Sequence, residues 1–100
     1  MTLVYITCKD GKEADAISAH LLNRRLIACS NSFPVKSSYW WENKIVKENE
    51  VVIICKTTDK NFRKIVSEVG KIHSYRIPCI LKIGSKANKD FENWANDCLN

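Results

Sequence analysis

Glycine and proline are scarce in this 100-residue chain, with three and two copies. Three glycines cannot build a phosphate-cradling loop, and no G-x-S-x-G motif offers a serine nucleophile. The only histidines are His20 and His73. That count argues against a structural or catalytic zinc site, and no cysteine is paired with a nearby histidine. No carboxylates are paired at a loop mouth. No catalytic constellation is visible, so the chain is not expected to be an enzyme. No apolar run is long enough to span a membrane, so no membrane partner is expected. Met1 opens directly into a strand-like run, without a basic n-region or small-residue cleavage site, which predicts no secretory signal. The five cysteines are odd in number and form no C-x-x-C. Four of them sit in apolar runs, which predicts reduced, buried thiols and a cytoplasmic protein.

What is present is enough for a core. Hydrophobic residues make up 45% of the chain and charged residues of both signs 27%, the composition of one globular domain over residues 1–100. The net charge of +5 admits an anion as ligand. The lysines are scattered rather than clustered, so no nucleic-acid partner is expected.

The run Val51–Cys55 is apolar and mostly β-branched, as befits a strand buried on both faces. Before it, Thr2–Cys8 reads as a first strand. Asp10 is placed to cap a helix, with Glu13 as its capping partner, and that helix should reach about Arg25. Ala14, Ile17, Leu21 and Leu22 give it an apolar face, with His20 beside that face as a boundary residue. A second strand is expected over Leu26–Phe33, interrupted at Pro34 and resumed over Ser37–Trp41. The interruption suggests an edge, a bulge or a crossover. Glu42–Lys44 forms a tight turn in which Asn43 takes a positive φ, and Ile45 starts the return strand. Trp40 and Trp41 at the tip of this long hairpin would expose a large apolar patch, which implies a partner surface. Asp59 is expected to cap a second helix with the stripe Phe62, Ile65, Val66, Val69 and Ile72. A loop over His73–Pro78, a strand over Cys79–Ile83 and a last helix over Asn88–Leu99 complete the chain. The order βαββαβα is that of a ferredoxin-like α+β sandwich: a four-stranded antiparallel sheet with helices on one face and an extended β-hairpin. Its other face is bare and needs a lid or an oligomer.

Three functions of that fold can be weighed. RNA recognition needs aromatics on the central strand, and Val51–Cys55 has none. An acylphosphatase needs a glycine-rich anion loop with an arginine after the first strand, where this chain has Lys9-Asp10-Gly11. A small-molecule or ion-binding oligomer needs only polar groups converging between subunits. The candidate ligand residues are Trp41, Lys56, His73, Tyr75 and Arg76; Tyr39, Trp40 and Trp41 are the candidate oligomer interface. If Lys56, His73 and Arg76 converge, the site is positive and favours a carboxylate or phosphate.

Three blocks carry a family resemblance. Arg25-Leu-Ile-Ala-Cys29 with Asn31 resembles R-L-x-A-C-x-N. Ser38-Tyr39, Trp41, Lys44-Ile45 and Glu50 through Lys56-Thr57 resemble S-x-Y-x-W-x-G-x-I…E-V…K-T. His73-Ser-Tyr-Arg-Ile-Pro78 resembles H-P-Y-E-x-P-E-I. Together they resemble the CutA family, named for divalent-cation tolerance. The resemblance implies a ferredoxin-like protomer in a tight homotrimer, with hairpin strands pairing between subunits. It also implies a divalent metal such as copper, held by a first-strand cysteine and a histidine near the loop. Here Ile6 occupies that cysteine position, and Cys8 lies two residues on along the same face. Asn43 replaces a glycine, Ser74 a proline, and Arg76 and Cys79 two acids. Arg76 adds charge that disfavours a cation. The resemblance therefore leaves three functions open: a trimer with crevices for a small ligand or ion, an anion- or nucleotide-binding regulatory module of the same fold, or a trimeric scaffold.

Overall fold

The computed structural model describes residues 1–100. The elements run β1 (Thr2–Cys8), α1 (Gly11–Asn23), β2 (Cys29–Trp41), β3 (Lys44–Thr57), α2 (Phe62–Ile72), β4 (Ile80–Gly84) and α3 (Lys89–Cys98), with a 3₁₀ turn at Asp59–Asn61. The strands form one antiparallel sheet in the order β2-β3-β1-β4. This is the ferredoxin-like α+β arrangement expected.

Alternation along β1 and β3 sorts their residues between two faces. Val4, Ile6, Cys8, Ile53 and Cys55 point to the helix-covered face and are fully buried. Ala14, Ile17 and Leu21 of α1 and Ile65 and Val69 of α2 close that core. Asp10 caps α1 as expected, its carboxylate accepting from the Glu13 N–H at 2.9 Å. The helix ends with crossed bonds from Arg25 N–H to Leu22 O and from Leu26 N–H to Leu21 O. Arg25 takes φ 54° there, at a position usually given to glycine.

Three local expectations change. Leu26–Ala28 belongs to no strand; Leu26 and Ile27 are buried in the core, and β2 begins at Cys29. Pro34 does not interrupt β2, which runs on through it opposite Val51. β2 is an edge strand, so the missing N–H can face outward without losing a ladder bond. Asp59 caps no helix; its carboxylate pairs with Lys82 Nζ at 2.8 Å. Asn61 instead anchors this corner, its amide donating to Leu26 O at 3.2 Å beside Thr57, which donates to the same carbonyl at 2.6 Å.

β1 pairs with β3 only from Val51 to Thr57, whereas β2 follows β3 as far as Lys44. The stretches 35–41 and 44–50 therefore project as a two-stranded ribbon, and the molecule measures 45 × 25 × 21 Å. Glu42 and Asn43 at its tip both take positive φ, 50° and 62°, the geometry that suits a two-residue hairpin loop.

Candidate functional site

The loop after α2 folds back against the base of the ribbon. Between them lies a pocket of about 730 Å³, lined among others by Thr7, Ser37, Tyr39, Trp41, Glu50, Tyr75 and Arg76. The ribbon supplies Ser37, Tyr39, Trp41 and Glu50 from alternate positions on the open face of the sheet. The loop supplies Tyr75 and Arg76.

Each loop residue is held by a specific contact. The Tyr75 hydroxyl donates to Glu50 Oε2 at 2.5 Å. Burial and this bond to a carboxylate push the phenol well above its ordinary value. Tyr39 pairs likewise with Glu48, whose hydrogen bond pushes that phenol up to about 12. Arg76 lays its guanidinium over the Trp41 ring, 5.5 Å from the centroid, a favourable cation–π stack. His73 Nε2 lies 2.8 Å from Thr7 O, and its Nδ1 accepts from the Tyr75 N–H at 3.0 Å. A carbonyl can only accept, so Nε2 carries the proton and both ring nitrogens are engaged.

Beside His73, one donor atom each from Cys8, Glu13 and His73 lies within 4.8 Å of the others. This thiol, carboxylate and imidazole set is the right chemistry for a soft divalent ion. Each member is already committed. Glu13 accepts from the Lys9 N–H at 2.9 Å and, through its second oxygen, from the Ser74 N–H at 2.8 Å. Burial alone would raise its carboxyl, but these bonds and the nearby His73 hold it below its ordinary value. The Cys8 thiol is fully buried, and burial followed by the charges of Glu13, Asp10 and Glu50 pushes it up to about 12. A metal would have to displace hydrogen bonds that fix the loop and also deprotonate a buried thiol. The set therefore fits a hydrogen-bonded joint between β1, α1 and the loop, not an open metal site.

The sequence candidates divide accordingly. Trp41, Tyr75 and Arg76 meet at the pocket, and His73 braces Tyr75 from behind, its ring centroid 4.9 Å away. Lys56 stands apart within one chain. It lies six residues along β3 from Glu50, about 20 Å at ~3.3 Å per residue. There its Nζ donates to Asn31 Oδ1 and lies 5.8 Å from the Phe91 ring of α3. Of the interface candidates, Trp40 is 72% exposed, while Tyr39 and Trp41 line the pocket. Sequence reasoning missed Glu50 as the pocket's acid. Its signal was the carboxylate directly preceding the run Val51–Cys55, where alternation aims it at the open face.

Comparison with known proteins places this architecture. Residues 2–98 match the family model described as CutA1 divalent ion tolerance protein. The divalent-cation tolerance protein CutA of Archaeoglobus fulgidus is 40% identical over 97 residues, covering 96% of this chain and 95% of its own length. That of Thermotoga maritima is 37% identical over 101 residues, with 99% of each chain covered. A solved structure of the Archaeoglobus fulgidus protein, described there as periplasmic, superposes over the full length of both chains with a TM-score of 0.97 at 38% identity. The chain belongs to the CutA1 divalent ion tolerance family.

Proposed function

We propose that the protein is a non-enzymatic homotrimer that takes a small ligand or ion in the pocket between loop 73–79 and the ribbon. The observation that carries this reading is the uncovered apolar surface on the strands that build the pocket. Leu81 pairs with Tyr5 and Tyr5 with Ile54, and Phe33 stands on the same face of β2 beside the fully buried Val52, so exposed or partly exposed apolar residues occur on the open face of all four strands. Phe33 is 40% and Leu81 51% exposed. Trp40 and Ile45, opposite one another near the ribbon tip, are exposed as well. Apolar surface of this kind on a soluble chain marks an interface, and the projecting ribbon offers edges for pairing with another copy. The trimeric stoichiometry follows the family resemblance.

The cytoplasm is proposed as the setting because all five cysteines are free thiols, which persist most readily in a reducing compartment. The divalent-cation tolerance of the relatives is read here as a cellular response in which the pocket senses a solute. Thermal unfolding of the native protein in the presence of cupric ion, phosphate and small metabolites tests the ligand half of the reading. At least one solute should raise Tm through binding to the native state, and Trp41→Ala should abolish that rise. A trimer indifferent to every solute would be a scaffold and would sink this half.

A further inference from the structure

Three charged residues line the pocket, Lys36, Glu50 and Arg76, and none of them joins an ion pair within the chain. Glu50 is only 6% exposed, lines the pocket, and receives a single hydrogen bond, from Tyr75. None of the chain's ion pairs involves it. A carboxylate this buried is costly without a cationic partner. Arg76 lines the same pocket and is held by its stack on Trp41. Stacking engages the face of the guanidinium and leaves its in-plane N–H donors directed outward, and it joins no ion pair.

This pairing rejects ligands of one sign. A simple cation that satisfies Glu50 meets the Arg76 charge and finds only one carboxylate, a poor set for a hard ion that needs six or more oxygens. A phosphate can draw on Arg76 and Lys36 but sets its charge against the buried Glu50. A molecule bearing both charges satisfies both. Beside them, Trp41, Tyr39 and Ile77 offer apolar surface, and the Ser37 hydroxyl is a neutral partner. We propose that the pocket binds a small dipolar ligand, a free amino acid with an apolar or aromatic side chain, its ammonium on Glu50 and its carboxylate on Arg76. The volume of about 730 Å³ falls within the range of small-molecule sites. Arg76 stands where the resembled motif carries an acid, so this specificity belongs to this chain. The inference rests on the reading of the pocket as a ligand site.

Calorimetric titration of the native protein with L-phenylalanine and L-leucine tests it, against 2-phenylethylamine, 3-phenylpropionate, phosphate and cupric ion. Saturable binding of an amino acid is expected, with each single-charge analogue weaker by roughly tenfold or more, since each forfeits one charge-assisted contact. Arg76→Gln, at an exposed position that leaves the core untouched, should weaken the amino acid and 3-phenylpropionate alike and leave 2-phenylethylamine bound as tightly or more tightly. Glu50→Gln should show the reverse pattern. Analogues that bind as tightly as the amino acids would overturn the proposal. Saturation by cupric ion or phosphate with silence toward amino acids would overturn it too, while leaving the pocket a ligand site. Silence toward every probe would overturn the proposal, and the reading of the pocket as a ligand site falls with it only if the wider thermal screen of solutes is silent too.

Discussion

On the helix-covered face, Ile6 and Ile53 sit side by side in the β1–β3 ladder and neither reaches solvent. One residue along, on the opposite face, Tyr5 pairs with Ile54 and both are partly exposed. The two faces are built from the same kinds of residue on the same strands. They differ in what covers them: α1 and α2 from the same chain on one side, and on the other little beyond α3 at the Lys56 end. Apolar content therefore reports that a face is to be buried but not by what.

The largest expected effect separates the two faces directly. Ile53→Ala should lower the unfolding free energy by about 2–5 kcal/mol, because it leaves a cavity in a closed core. Phe33→Ala should act through assembly instead, so its destabilisation should grow as the protein is diluted. Denaturant melts of both variants at two protein concentrations would show it. A concentration-independent loss in Phe33→Ala equal to that of Ile53→Ala would erase the distinction between the faces.

A smaller effect sharpens the comparison at the joint where the closed core meets the pocket loop. The Glu13 carboxyl is held below its ordinary value of 4.5 in the folded chain. A group whose folded pKa is depressed stabilises the fold above its unfolded pKa, and that stabilisation is lost as pH falls through the folded value. Tm should accordingly drop as the pH is taken below 4.5. Glu13→Gln should cost about 1–3 kcal/mol at neutral pH, where the Lys9 or the Ser74 N–H loses its carboxylate acceptor, and the gap from wild type should narrow in acid. An acid melting profile identical in the two proteins would mean that the bonds to Lys9 and Ser74 carry none of the pH dependence.

The smallest effect is one of rate. Cys8 and Cys55 are fully buried, and burial pushes both thiols up to about 12. Cys29, Cys79 and Cys98 are partly exposed. Since the thiolate is the reactive form, native alkylation followed by mass spectrometry should label the last three first. Early labelling of Cys8 would show that the joint opens.

Much of the frame was legible because it is local. The Asp10 cap, the positive φ at Asn43 and the Ile65–Val69 stripe each depend on residues within a few positions of one another. The errors arose where a distant partner decides. Leu26–Ala28 has strand-like composition, but Thr57 and Asn61, about thirty residues on, claim the Leu26 carbonyl. Asp59 has a capping residue's chemistry, but Lys82 takes its carboxylate. At Pro34 the edge that the sequence suggested is there, and only the break was misjudged, because β2 continues through the proline opposite Val51. The pocket was legible in part. Trp41, Tyr75 and Arg76 were singled out for chemistry and meet there, whereas Glu50 needed the loop fold that brings the Tyr75 hydroxyl to it, and Lys56 needed the distance that removes it.

The central claim is that the open face and the ribbon are finished by other copies of this chain. Sedimentation velocity of the wild-type protein at micromolar concentration tests it most directly. A single species of three times the 11.5 kDa chain mass is predicted, and a stable monomer at that concentration would contradict it.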